Sequence, residues 1–373
     1  MELYARDNSV DPFPVAERFS PQGAEIDISE FGNGNINNTF LVTLDAGGEK
    51  RFILQRINTL VFPRPELVMR NIRVSTCHIL RRLQYAPRDA GRRWKVPQVL
   101  LTREGSDHCI DSEGSFWRAL SYIDRSQSFD TVKNTHHAGE VGYALGTFHT
   151  LLNDLPPDRL ADMLEGFHIT PRYLRHYDEV LAKFRGALSA EVNFCLKFVS
   201  KRRAWAHILE DAKNLGSLLV RPIHGDPKVN NILMDTDTGH AVSIVDLDTI
   251  TPGLVHYDIG DCLRSGCNPL GEETELWEAV QFDTDFCRSI LQGYFSNARE
   301  FLSASDMDYI YDAVRLIAFE LGLRFFTDHL EGDVYFKVTR PGHNLARALV
   351  QFRLTESIES RATAIRGIIQ EAR

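Results

Sequence analysis

The sequence has no apolar run approaching a membrane span, no internal repeat and no low-complexity tract. A bilayer-crossing helix and a solenoid are therefore not expected. Six cysteines (Cys77, Cys109, Cys195, Cys262, Cys267 and Cys287) include no CxxC pair, and Cys262 and Cys267 have no partner cluster. That pattern disfavours a zinc site and a disulfide framework and leaves free or buried thiols. No GxxxxGK[ST] run occurs, so phosphates are not held in the P-loop manner. The opening residues, MELYARDNSVDPFPVAERF, lack the basic start and apolar middle of a secretory signal, and the expectation is a cytoplasmic protein. A basic excess is absent too. The formal net charge of −9 argues against a nucleic-acid partner. It leaves an anionic small ligand open, because a divalent cation bridges carboxylates to phosphates.

What is present is an ordinary globular composition, 43% hydrophobic and 25% charged, over 373 residues. That length exceeds one compact core and suggests two lobes. Residues 1–123 read as a small sheet with one helix. "FLVTLDAGGEKRFILQRI" (40–57) is a hairpin of two alternating runs around Gly-Gly. Pro65, Val68, Ile72, Ser75, Ile79 and Leu83 follow at helical spacing. "VPQVLLTREG" (96–105) and "SFWRALSYID" (115–124) read as strands. Residues 124–373 read as mainly helical, with Val141, Leu145, Phe148 and Leu152 on one stripe. The Arg- and Glu-rich final stretch reads as a solvated helix face. Strand patterns return briefly near residue 220, around the densest polar stretch of the chain.

That stretch is "HGDPKVNNIL" (224–233), followed by "AVSIVDLD" (241–248). A strand–loop–strand hairpin here brings Asp226, Asn231 and Asp246 to one end. One carboxylate accepts a proton from a hydroxyl. The second carboxylate and the amide oxygen are hard ligands suited to Mg²⁺. Phosphoryl transfer requires this division between positioning, charge neutralisation and a base. The alternative is a polar hairpin built on Asx turns.

His224-x-Asp226-x-x-x-x-Asn231, with Asp246 on the next strand, resembles the motifs of the protein-kinase-like fold in its aminoglycoside phosphotransferase and choline kinase form. The resemblance implies an α+β, bilobal architecture with a small antiparallel β lobe and a larger helical lobe. It implies Asp226 as catalytic base and Asn231 and Asp246 as Mg²⁺ ligands. His224 would brace the loop and Lys228 would lie near the transferred phosphate. Asp258 and Asp261 in "HYDIGD" are expected to be structural, whereas Asp248 has either a second metal or a turn to cap. "FGNGNINNTF" (31–40) sits where such enzymes carry a glycine-rich nucleotide loop, assigning Gly32, Gly34 and Asn35 to the nucleotide; Asn37 replaces the third glycine. Gln55 stands where the third strand of a kinase small lobe presents a lysine, with Arg56 expected on the opposite face. Backbone around Leu120 and Tyr122 would meet the adenine.

The segments "GNGNINNTFLV", "FILQRINTLVFP", "HGDPKVNNILMD", "IVDLDTITPG" and "LRFFTDHLEGDVYF…HNLARALVQ" look like those of the N-acetylhexosamine 1-kinases. The resemblance covers the chain from about residue 25 onward. It implies ATP and Mg²⁺ as co-substrate and cofactor and a small sugar as partner. The product would be a sugar 1-phosphate from N-acetylglucosamine or N-acetylgalactosamine. Arg324 and Tyr335 would face the sugar beside Asp226, with His343, Asn344 and Arg347 as further polar candidates. For Arg324 the alternative is a surface i,i+4 pair with Asp328. The other functional readings are a kinase for another small hydroxyl acceptor (homoserine, choline, methylthioribose or an aminoglycoside) and a nucleotide-binding protein without catalysis.

Overall fold

The computed structural model describes residues 11–32, 36–45, 49–85 and 92–372. The expected hairpin forms at β2 (Asn38–Asp45) and β3 (Glu49–Arg56), with β1 (Glu25–Glu30) alongside. Two short strands, β4 (Val99–Leu100) and β5 (Cys109–Ile110), and the longer β6 (Phe116–Ser121) complete an antiparallel sheet. Its order is β1-β2-β3-β6-β4, with β5 also on β6. The long strand expected over 96–105 shrinks to two residues.

Alternation gives this sheet two different faces. Val42, Leu44, Phe52, Leu54, Trp117 and Ala119 are buried on one face against helix α1 (Phe13–Phe19). Thr39 and Leu41, Ile53 and Gln55, and Arg118 and Leu120 share the other face by direct cross-strand register. The second face turns toward the cleft. Helix α2 (Pro65–Tyr85) begins at the proline the sequence marks and buries Val68, Met69, Ile72 and Ile79. Its Asn71 also ties it to the large lobe, donating to the carbonyls of Ala161 and Ile250 at 2.8 Å each.

The chain then passes β7 (Ser126–Gln127) into α3 (Thr135–Leu152), capped by Asn134, whose side chain accepts from the His137 amide. Helices α4 (Thr170–Lys183), α5 (Ala190–Arg202) and α6 (Ile208–Asn214) lead to two small sheets. Strand β8 (Arg221–Ile223) pairs with β11 (Thr251–Gly253), while β9 (Ile232–Asp235) lies between β7 and β10 (Ala241–Ile244). Helices α7 (Val255–Gly266), α8 (Thr284–Ala298), α9 (Ala304–Asp308), α10 (Ile310–Glu331), α11 (His343–Ser360) and α12 (Ala362–Glu371) complete the large lobe. Helices α3 and α8 touch backbone to backbone. A Cβ on Gly142 would lie 1.9 Å from the Ile290 carbonyl oxygen, and one on Gly146 2.4 Å from that of Tyr294.

At the C-terminal end, helix α11 buries Ala348, Val350, Phe352, Leu354 and Ile358, and α12 buries Ile365, Ile368 and Ile369. The expected solvated face is there too, with Arg353, Arg366, Gln370 and Glu371 exposed. His343, Asn344 and Arg347 at the start of α11 are bound internally, as described below. All six cysteines are free thiols. No helix among the described residues is long and apolar enough to cross a membrane.

Candidate active site

The polar stretch after β8 is held by one carboxylate. Asp258, fully buried on α7, accepts from the backbone amides of His224 at 2.7 Å and Gly225 at 2.8 Å, and from His149 Nε2 at 2.8 Å. Against the cost of burial, the His149 ring and the His224 amide hold its carboxyl below the usual range. Gly225 has φ +86°, and a Cβ there would meet the Thr249 carbonyl at 2.8 Å, so this position needs glycine on both counts. His224 is buried and neutral. Its Nδ1 accepts from the Asp226 amide and its Nε2 donates to the Val245 carbonyl at 3.0 Å, while burial pushes its pKa down. It braces the loop from inside.

Asp226 projects from that frame, partly open to solvent. Asn231 Nδ2 donates to its carbonyl at 2.7 Å and its Oδ2 at 3.2 Å, and Lys228 Nζ lies 2.9 Å from the same oxygen. Burial works against the Lys228 charge, but Asp226 and Asp246 outweigh it and raise its pKa. The Asn231 amide nitrogen is thus committed, and its side-chain oxygen accepts no bond among the described residues. Asn230 is exposed.

Asp246 follows β10 in left-handed backbone, φ +64° and ψ +58°. Such a conformation in a non-glycine residue needs its surroundings to enforce it. Here the Val245 amide is bound by the Asn231 carbonyl at 2.8 Å and the Val245 carbonyl by His224. The Asp246 carboxylate opens into the interlobe cleft but is ringed by protein. Packing, together with the charges of Asp248 and Asp226, pushes it up to about 7. No hydrogen-bond donor reaches it among the described residues. Asp246 and the Asn231 oxygen therefore suit a hard cation. No cluster of three or more His, Cys, Asp or Glu forms a closed metal cage among the described residues, so such a cation would need ligand oxygens from elsewhere.

Asp248 is neither a cap nor open to the cleft. It is 2% exposed and clasps the small lobe, pairing with Arg118 Nη2 of β6 and accepting from Asn37 Nδ2 at 2.7 Å. Asn37 also accepts from the Asn58 amide, which explains a side chain where a glycine was expected. Gln55 is fully engaged: Oε1 accepts from Arg118 Nε and Nη2 at 3.0 and 2.7 Å, and Nε2 donates to Thr39. Arg56 points the other way, to Ser115. Leu120 is buried, and half-buried Tyr122 has Arg51 over its ring and Phe31 at its edge. Gly32 adopts φ +72° in open space. Gly34 and Asn35 lie outside the described residues.

A cleft of 760 Å³ opens beside this centre, lined by Leu60, Arg64, Phe167, Tyr173, Arg324, Tyr335 and neighbouring residues. It brings Arg324 and Tyr335 together. The i,i+4 pair with Asp328 does not form. Asp328 accepts instead from the amides of Val334, Tyr335 and Phe336 at 2.7–2.9 Å and from Asn344, shaping the loop that presents Tyr335. Arg324 lies among the rings of Phe167, Tyr173 and Phe336 at 5.1–5.5 Å, without a carboxylate partner among the described residues. His343 and Arg347 bind Glu273, and Asn344 binds Asp328 and Asp333, so none of the three lines the cleft.

Three residues of this neighbourhood escaped the sequence reading. Arg118 carried a usable signal, a charge inside the otherwise buried strand "FWRAL". His168 and Glu320 carried none, being 152 positions apart. His168, at φ +58°, donates to Glu320 Oε1 and to the Gly225 carbonyl, both at 2.9 Å. Two acceptors require both ring nitrogens protonated, and although burial opposes the charge, Glu320 raises its pKa.

This architecture, a small antiparallel sheet clasped to a larger helical body with the polar loops between them, is the bilobal protein-kinase-like fold. The sequence matches the phosphotransferase enzyme family over residues 27–290, and the chain belongs to that family. Similar solved structures include an aminoglycoside phosphotransferase from Alicyclobacillus acidocaldarius, 14% identical, with TM-score 0.62 and 97% of each chain covered. A microcompartment-associated aminopropanol kinase is 16% identical, with TM-score 0.59 and coverage of 95% of this chain and 98% of the other. Choline kinase from Cryptosporidium parvum is 15% identical, with TM-score 0.54 and coverage of 96% and 94%. At these identities the likeness is one of fold.

Proposed function

We propose that the protein transfers the γ-phosphoryl group of ATP to a neutral sugar, phosphorylating the anomeric hydroxyl of an N-acetylhexosamine to give the sugar 1-phosphate and ADP. The observation that carries this reading is Arg324, which lines the cleft beside Asp226 without a carboxylate partner among the described residues. Glu165 is paired with Arg172 and Glu331 with His176, and Asp328 is consumed by amides. Arg324 and Arg64 have no carboxylate partner among the described residues. Arg324, held among three rings, therefore has guanidinium donors free for an acceptor, and such donors favour an oxygen-rich one. The solved structures of similar fold include proteins named for aminopropanol, choline and aminoglycosides, all of them amines.

Arg324 donates to sugar oxygens through a fixed fork, and Tyr335 covers the ring from its loop. Asp226 lies where an acceptor hydroxyl would give up its proton. The anomeric hydroxyl is the most acidic of a sugar, so a carboxylate of ordinary basicity suffices. Asp246 and Asn231 would hold Mg²⁺, which would supply charge neutralisation for the nucleotide. Lys228 balances Asp226 and faces the same space. Leu41, Ile53, Leu120 and Tyr122 form an apolar wall suited to adenine.

The test is ATP turnover with Mg²⁺ over N-acetylglucosamine, N-acetylgalactosamine, choline, ethanolamine, aminopropanol, homoserine, methylthioribose and an aminoglycoside, with products read by phosphorus NMR. An anomeric phosphate signal with either N-acetylhexosamine is the expected outcome. Turnover confined to the other acceptors overturns the reading.

A further inference from the structure

The small-lobe position that ordinarily carries a phosphate-contacting lysine holds Gln55, a neutral residue whose amide oxygen and nitrogen both bond within the protein. A cation nevertheless sits on this face. Arg118 stands directly opposite Gln55 in the β3–β6 register and is 1% exposed. Its Nε and one terminal nitrogen donate to Gln55, and that same nitrogen pairs with Asp248. The other terminal nitrogen, Nη1, is buried without a partner among the described residues.

An orphaned guanidinium N–H in the interior is costly and calls for an acceptor. The groups around it say which kind. Arg118 is close enough to Asp246 for its charge to act on that carboxylate, and Asp248 lies two residues further on. Asp246 is one of the two residues suited to the cation that would accompany nucleotide phosphates. Gln55 turns its oxygen toward Arg118 and its nitrogen away to Thr39, an orientation that serves a cation on β6 rather than a phosphate on β3.

Resting on the reading of this site as an ATP-dependent phosphotransferase, we propose that Arg118 takes the place of the missing lysine, donating from Nη1 to the nucleotide's phosphates while Gln55 aims it. The cation has moved one strand along the sheet. Asp248 holds the guanidinium where an acidic residue of the helix following β3 would hold a lysine; α2 offers Asn71 and Ser75 to the interior instead.

Binding of metal-free ADP and of adenosine, measured by calorimetry on the full chain, separates a phosphate contact from a lobe clasp. Arg118→Gln is expected to lower the ADP-over-adenosine preference about ten- to a hundredfold while adenosine affinity holds. Asp248→Asn, which loosens the clasp but keeps the cation, is expected to leave that preference unchanged or raised. Equal losses in the two variants, or an unchanged preference in Arg118→Gln, overturn the inference. Should Arg118→Gln not fold, ¹⁵N-arginine spectra of the wild type decide, with the Arg118 signal assigned by its loss in Arg118→Lys. ADP is expected to shift the guanidinium resonance and adenosine to leave it in place; no shift with ADP overturns the contact. A wild type that binds no adenine nucleotide removes the phosphotransferase reading as well, whereas nucleotide binding indifferent to Arg118 removes this inference alone.

Discussion

His149 Nε2 meets Asp258 Oδ2 at 2.8 Å with the two side chains 1% and 0% exposed, and through that contact α3 and α7 jointly fix the loop bearing Asp226. Asp258 spends both oxygens on this task, and Tyr294 donates to the remaining His149 nitrogen. Asp258→Ala leaves two buried amides and an imidazole without an acceptor. The unfolding free energy is expected to fall by about 3 kcal/mol or more. Urea titration checks this, and a loss below about 1 kcal/mol would show that the loop holds itself.

Asp226→Asn should separate chemistry from stability. Asp226 is partly exposed, and its ion pair with Lys228 lies in the cleft. A half-open pair contributes little, so stability should change by less than about 1 kcal/mol. The turnover rate should drop by about 10² to 10⁴, the usual share of a positioned base. Steady-state rates beside melting curves test the contrast. A variant that turns over at the wild-type rate removes Asp226 from the reaction.

Much of this was legible in the sequence because it depends on local spacing. Asp226, Asn231 and Asp246 lie within 21 positions, on loops fixed by short strands whose pattern is readable. The hairpin of β2 and β3 and the start of α2 are likewise local. What stayed hidden is what the chain assembles at long range. Asp248 appeared a cap or a metal ligand because its partner Arg118 lies 130 residues away. His168 reaches Glu320 across 152 positions. Arg347 was a candidate for the sugar because the Glu273 that neutralises it is 74 residues distant. Composition registers a charge but not what cancels it.

Arg324→Met should alter the acceptor and spare the fold. The variant keeps an apolar stem among the rings and loses no ion pair, so stability should fall by no more than about 1 kcal/mol. The KM for N-acetylhexosamine should rise roughly ten- to a hundredfold, with charge-assisted hydrogen bonds to the sugar gone. Removing the cation should also lower the KM for choline or ethanolamine relative to the sugar. An acceptor ranking identical to wild type would place Arg324 outside recognition.

The His168 pair gives a pH dependence whose sign follows from geometry. His168 is faced by Glu320, itself bound to Thr170, by the Gly225 carbonyl, by the rings of Phe167 and Tyr257, and more distantly by Asp261. Burial disfavours the imidazolium, yet Glu320 raises the folded pKa above that of the unfolded chain, about 6.5. Its contribution to stability is therefore fully present below about pH 6.5. It is lost as pH rises through the folded value, at up to about 1.4 kcal/mol per pH unit. His168→Gln removes this slope. The difference in unfolding free energy between wild type and variant should be largest near pH 5.5 and should shrink toward pH 9. Because His168 donates to the carbonyl next to Asp226, turnover of the wild type should weaken over the same range as the loop loosens. A stability difference that stays flat from pH 5.5 to 9 would mean that folding leaves the His168 pKa unchanged, and one that grows with pH that His168 is neutral in the folded protein with one of its two acceptors unserved.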